Sequence, residues 1–139
     1  MKKYIVMMAC LIAINLSCIA ITVPKAVADA FAKKFPGATN IKWGKENAKE
    51  YEAEFKMNGK AMSANFSAVG SWMETETAIE MSGLPAAAAS AITAKYPGYA
   101  ISEVFKIEKA DGKTTYEAEI KKGSKKTEVI LNADGTIIK

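Results

Sequence analysis

Histidine and arginine are both missing from this chain: all 19 basic residues are lysines. Without histidine there is no imidazole to activate a serine, and no Gly-x-Ser-x-Gly motif is present, so a lysine would have to act as base. Nothing in the pattern singles one out. Without arginine there is no bidentate contact to phosphate or guanine, and the lysines are scattered among glutamates as on a solvated surface. Nucleic acid is therefore not the expected partner. Cysteine is nearly absent too, with Cys10 and Cys18 the two examples.

Both cysteines fall in a leader-like segment. Lys2 and Lys3 are followed by an apolar run from Tyr4 to Leu16 and by Cys18-Ile19-Ala20. This is the layout of a secretory signal peptide, too short for a comfortable membrane span, with cleavage expected after Ala20. The alternative is a lipoprotein anchored through Cys18. No later stretch is apolar enough to cross a bilayer. A mature chain of residues 21–139 has no cysteine, which excludes disulfides, thiolate metal sites and cysteine nucleophiles. Loss of Lys2 and Lys3 lowers the net charge from +4 to +2, close to neutral.

What is present is present twice. Val23-Pro24 through Phe35-Pro36-Gly37 returns 61 positions later as Leu84-Pro85 through Tyr96-Pro97-Gly98. Tyr51-Glu52-Ala53-Glu54-Phe55 returns as Tyr116-Glu117-Ala118-Glu119-Ile120, and Ala68-Val69-Gly70 as Ala133-Asp134-Gly135, both at a shift of 65. Four extra residues therefore enter the second copy between Val104 and Tyr116. The repeats are residues 22–80 and 81–139 of one domain, 21–139. A unit of about 60 residues buries only ~60% of its unfolded surface, so the two copies are expected to share one sheet and one core.

Each copy opens with a helix. Val23, Val27, Ala30, Phe31 and Phe35 recur at helical spacing, as do Leu84, Ala88, Ala91, Ile92 and Tyr96. Pro24 and Pro85 suit a helix start, and each Pro-Gly a stop. Strands follow. Tyr51 to Met57 alternates apolar and charged residues, Asn58-Gly59 signals a hairpin, and Met62, Ala64, Phe66 and Ala68 share one side. With a strand around Ala38–Trp43 and another over Ser71–Ile79, each copy has one helix and four strands. The second set is Tyr99–Lys109, Lys113–Lys121, Lys125–Asn132 and Thr136–Ile138. The expected fold is α+β: two tandem (αββββ) repeats forming one curved antiparallel sheet, with both helices on one face in two layers.

The twice-used frame of Pro, alanine-rich helix, Lys-Phe/Tyr-Pro-Gly and then Tyr-Glu-Ala-Glu resembles the PepSY-like, β-lactamase-inhibitor-protein-like (BLIP-like) family of secreted bacterial proteins. The likeness spans residues 22–139. It implies tandem helix-plus-four-strand repeats and an envelope location. Inhibitors of that type brace each repeat with a disulfide, which this chain lacks after processing. The loops Asn58-Gly59-Lys60 and Ala110-Asp111-Gly112-Lys113 carry no inserted aromatic, so no inhibitory residue is carried over.

Three carboxylate pairs, Glu52/Glu54, Glu74/Glu76 and Glu117/Glu119, lie about 7 Å apart along their strands, a spacing that glycoside hydrolysis could use. Their alternation with lysine and their recurrence in both copies read instead as a solvated face. The Asp111-Gly112 and Asn132 to Gly135 stretches read as turns; a calcium loop needs more oxygen ligands. No catalytic, metal or cofactor residue is assigned. Strict alternation puts Trp72 beside Glu74 and Glu76 on the outer side, with Ile137 its counterpart; a bulge would turn Trp72 onto the core edge. The expected function is a non-enzymatic envelope module that binds an envelope or secreted protein. Its candidate contacts are Trp72, Glu74, Glu76 and Ile137 with the loop residues Asn58, Lys60 and Asp111, and Trp72→Ala is expected to weaken capture without unfolding. An inhibitor of a secreted protease or β-lactamase is the alternative, and a small-ligand carrier with a pocket between helices and sheet a further one.

Overall fold

The computed structural model describes residues 21–139, so the expected leader, with Cys10 and Cys18, lies outside the described residues. Helices α1 (Lys25–Lys34) and α2 (Ala86–Lys95) each begin directly after a proline rather than containing it. The carbonyls of Pro24 and Pro85 accept from the amides of Ala28 and Ala89 at 3.1 and 3.0 Å, so each proline supplies an acceptor while its missing N–H costs nothing. α1 buries Val27 and Phe31 and α2 the equivalent Ala88 and Ile92. Both helices stop one residue before Pro-Gly, as proline geometry requires.

Seven strands follow one another in space in the order of the chain, all antiparallel: β1 (Thr39–Asn47), β2 (Glu50–Met57), β3 (Lys60–Ser67), β4 (Trp72–Ile79), β5 (Ala100–Lys109), β6 (Thr114–Lys122) and β7 (Lys125–Leu131). The β4–β5 pair joins the two repeats into one sheet. The Asn58-Gly59 hairpin forms with positive φ at both residues, as a type I′ turn demands. The expected eighth strand, Thr136–Ile138, shrinks to a bridge between Leu131 and Ile137 with flanking bonds between Ile130 and residues 138–139.

The helices sit on one face, but that face carries two cores instead of the single one expected. The first gathers Val27, Phe31, Phe35, Tyr51, Ala53, Phe55, Ala64 and Phe66. The second gathers Leu84, Ala88, Ile92, Val104, Ala118, Ile120, Val129 and Leu131. Register explains the division. On the helix side of the β4–β5 pair, Thr75 faces Glu108 and Thr77 faces Lys106, and only Ile79 opposite Val104 is apolar and joins the second core, so the seam between the repeats is mostly polar.

Each helix is pinned to its sheet at a corresponding glycine. A Cβ on Gly70 would lie 2.6 Å from the Ala26 carbonyl oxygen, and one on Gly135 2.6 Å from that of Ala87. Both glycines have positive φ, so close approach and backbone geometry make the same demand.

Candidate functional site

Strand β4 does not keep strict alternation. Asn65 pairs with Glu74, but Phe66 pairs with Trp72, which makes Met73 the extra residue of a bulge. Trp72 is thereby turned to the helix side, where it packs against the first core. Its indole Nε1 donates to Thr75 Oγ1 at 2.9 Å, and Lys34 Nζ lies 3.6 Å from the centre of its ring. Of the two placements weighed for Trp72, strict alternation and a bulge onto the core edge, this one-residue insertion realises the bulge, so Trp72 does not share the outer face with Glu74 and Glu76. Ile137 likewise packs against the second core. The loop residues also separate. Asn58 and Lys60 lie at the β2–β3 turn and Asp111 at the β5–β6 turn, which belong to opposite ends of the sheet. Asp111 is occupied locally, accepting from the Lys113 amide and pairing with Lys113 Nζ at 3.1 Å. Of the residues expected to touch a partner, only Glu74 and Glu76 lie on the open face of the sheet, and Asn58 and Lys60 share the β2–β3 turn.

That surface is the sheet face turned away from the helices, and its centre is not the solvated field of charge that alternation suggests. One cross-strand row runs Glu54, Ser63, Glu76, Ile107, Thr115 through β2 to β6. The next runs Ala78, Phe105, Glu117, Ile130 through β4 to β7. Glu76 is 5% exposed, Ile107 3%, Thr115 4% and Glu117 1%, while Asn65 one row away is 3%. Ile107 belongs to neither core, so a third buried cluster lies on the open face. Four polar atoms in it have no hydrogen-bond partner: Asn65 Oδ1, Glu76 Oε2, Thr115 Oγ1 and Glu117 Oε2.

Burial beside apolar neighbours reshapes the acids. Loss of solvent, reinforced by the charge of Glu117, pushes Glu76 up to about 9. Glu117, held between Phe105 and Ile130, is raised to about 7, chiefly by loss of solvent and then by Glu128. Glu52 and Glu74 are raised as well, again first by burial, with Lys109 opposing the rise at Glu74. Glu119, two residues from Glu117 on β6, goes the other way. The Ser102 hydroxyl donates to it at 2.7 Å and Lys126 pairs with it at 3.1 Å, so its carboxyl is held below its ordinary value.

Sequence reasoning missed Asn65, Phe105, Ile107 and Thr115, and treated Glu117 as surface. A signal was available in Val104-Phe105-Lys106-Ile107, where apolar residues occupy both strand faces. A concave region lies on the helix side of the seam, an open groove of about 500 Å³ whose lining includes Lys34, Met62, Trp72, Thr75 and Lys109. Among the described residues no group of three or more acidic, histidine or cysteine side chains could hold a metal ion, and no helix is long and apolar enough to cross a membrane.

Comparison with known proteins agrees with this architecture. The family model described as "Putative beta-lactamase-inhibitor-like, PepSY-like" matches residues 17–62 and 49–139. A search of curated proteins finds no match. Among solved structures, a protein from Bacteroides eggerthii DSM 20697 described as one of the "putative periplasmic proteins" has a TM-score of 0.76, 21% identity, and coverage of 85% of this chain and 87% of that one. A DUF2874 family protein from Bacteroides uniformis ATCC 8492 has a TM-score of 0.74, 24% identity, and coverage of 85% and 88%. A BLIP-like protein from Bacteroides fragilis NCTC 9343 has a TM-score of 0.67, 24% identity, and coverage of 86% and 85%. These likenesses establish the fold. With two overlapping family matches laid along a duplicated sequence, the chain belongs to the PepSY-like, β-lactamase-inhibitor-like family.

Proposed function

We propose that this protein is a non-catalytic binding module of the bacterial envelope that holds a protein partner on the open face of its sheet. The observation that supports this most is the buried cluster of Glu76, Ile107, Thr115 and Glu117, with its unpartnered oxygens, on the face opposite the helices. A structure stabilised by that face alone would be expected to place paired or apolar groups there. A leader-like segment, with cleavage expected after Ala20 or lipidation at Cys18 as the alternative, and the periplasmic description of a structural relative support an envelope site of action. Affinity capture from an envelope extract of the source bacterium tests this reading, comparing residues 21–139 with the Ile107→Lys and Lys60→Ala variants. Loss of the captured protein with Ile107→Lys and its retention with Lys60→Ala is the expected result. Equal capture by all three would refute use of the open face.

The family description favours a second reading, an inhibitor of a secreted enzyme. Titrating residues 21–139 against β-lactamases and envelope proteases tests it, and no slowing at micromolar concentrations would count against it. The groove at the seam supports the small-ligand reading more weakly, because it is open and lined in part by lysines.

A further inference from the structure

We propose that the open face receives a basic side chain, an arginine or a lysine presented by the partner protein, seated between Glu76 and Glu117. This rests on the reading that the face holds a protein and specifies the chemistry of what is held.

The four unpartnered atoms are two carboxyl oxygens, an amide oxygen and a hydroxyl oxygen, all able to accept and all on one face of β3, β4 and β6. Buried acceptors left without donors cost free energy, and a donor-rich ligand seated at Glu76, Thr115 and Glu117 removes that cost there, while Asn65, opposite Glu74 on β3, stands farther off. A guanidinium or ammonium group is such a ligand and carries the complementary charge. An anionic ligand would meet Glu52, Glu54, Glu74 and Glu128, which face the cluster from β2, β4 and β7. The cations acting on these acids are Lys109, which lowers Glu74, and Lys139, which lowers Glu117; neither bonds the orphaned oxygens. Glu119 and Lys126 satisfy each other. Phe105, Ile107 and Ile130 border the acids across the strands, and the alkyl stem of arginine or lysine packs well on such a surface. A metal ion fits less well, since the acids stand in separate rows and no metal-holding group occurs among the described residues.

Seating a cation ionises both carboxyls, so protons leave as the partner arrives. Affinity then rises with pH, by about tenfold per unit for each proton released, until the carboxyls of the free protein are themselves ionised.

The test uses residues 21–139 labelled with 13C in the side-chain carbonyl carbons. The probes are four short peptides, Ala-Ala-Xaa-Ala-Ala with blocked ends, where Xaa is arginine, lysine, glutamine or glutamate. The arginine and lysine peptides should shift the Glu76 and Glu117 carboxyl resonances saturably at millimolar concentration and bind more tightly at pH 8 than at pH 6. Glu76→Gln and Thr115→Val should each weaken them at least severalfold while circular dichroism stays unchanged. Equal shifts from the glutamine peptide, or shifts confined to exposed carboxylates and insensitive to both variants, would overturn the proposal while leaving the open-face reading standing. No response from any peptide overturns it too, and the Ile107→Lys capture comparison then decides separately whether the face is used at all. A third contrary outcome is concentration-dependent self-association abolished by Lys125→Glu, which would assign the cation to a second copy through its lysine-rich β6–β7 hairpin.

Discussion

Glu52 and Glu117 occupy the same place in the two repeats, 65 residues apart, and meet different fates. Glu52 stands between Gly44 on β1 and Asn65 on β3; Glu117 stands between Phe105 on β5 and Ile130 on β7. Glycine leaves one flank of Glu52 open, and that residue stays half-buried. Phenylalanine and isoleucine close both flanks of Glu117 and leave it 1% exposed. The same backbone position thus yields a moderately raised acid in one copy and one raised to about 7 in the other. The neighbours across the ladder, not the residue or its strand, decide the chemistry. The cores diverge in parallel: Phe31, Phe55 and Phe66 in the first repeat correspond to Ile92, Ile120 and Leu131 in the second. Phe31 packs edge-on against Trp43, Phe55 and Phe66, contacts an aliphatic core lacks.

The largest expected effect is on stability against pH. Glu76 and Glu117 have folded values of about 9 and about 7 against ordinary values of 4.5, so the folded state holds protons that the unfolded chain has released. The contribution of these two acids is therefore most favourable near or below pH 4.5 and falls as pH rises toward 7 for Glu117 and 9 for Glu76, whereas Glu119, held below its ordinary value, loses its contribution as pH falls. Between pH 4.5 and 7 the loss has an upper bound of about 3 kcal/mol from each acid. Urea unfolding of residues 21–139 across this range should show the fall, Glu76→Gln or Glu117→Gln should flatten it, and the matching Glu52→Gln should change it less. A flat wild-type profile would remove the contrast between the repeats.

The pinning glycines come next. Gly70→Ala and Gly135→Ala should each cost roughly 2–3 kcal/mol in chemical denaturation, combining positive φ with a clash on a helix carbonyl. Similar costs in both copies would show that the helices dock alike although the cores differ. At the bulge, Trp72→Ala should lower stability by about 2 kcal/mol and Ile137→Ala by about 1, both through lost packing. An unchanged melting temperature for Trp72→Ala would contradict its place against Phe66. The smallest effect is the sharpest: Phe105→Gly should lower the Glu117 pKa and Gly44→Phe raise that of Glu52, followed by carboxyl NMR.

Much of this molecule was legible beforehand, and particular residues show why. The Pro-to-Pro-Gly frames located both helices because proline and glycine act within one or two residues. Asn58-Gly59 located a hairpin for the same reason. Alternation in Tyr51–Met57 assigned faces in β2 correctly, since that strand pairs with β3 without a bulge. It failed in β4, where the extra Met73 turned Trp72 over. The open-face cluster escaped because its members, Asn65, Glu76, Ile107, Thr115 and Glu117, come from four strands, β3 to β6, whose registers the sequence pattern does not show.

By itself the sequence determined the duplication, the α+β architecture, the single antiparallel sheet and the side on which the helices lie. All of these follow from short-range periodicity and turn chemistry that repeats along the chain. Tertiary structure alone decided that the core divides in two, that Trp72 turns inward and that two glutamates lose their solvent. Those outcomes depend on which residues face one another across strands, and a single inserted residue or one phenylalanine in place of glycine is enough to change them.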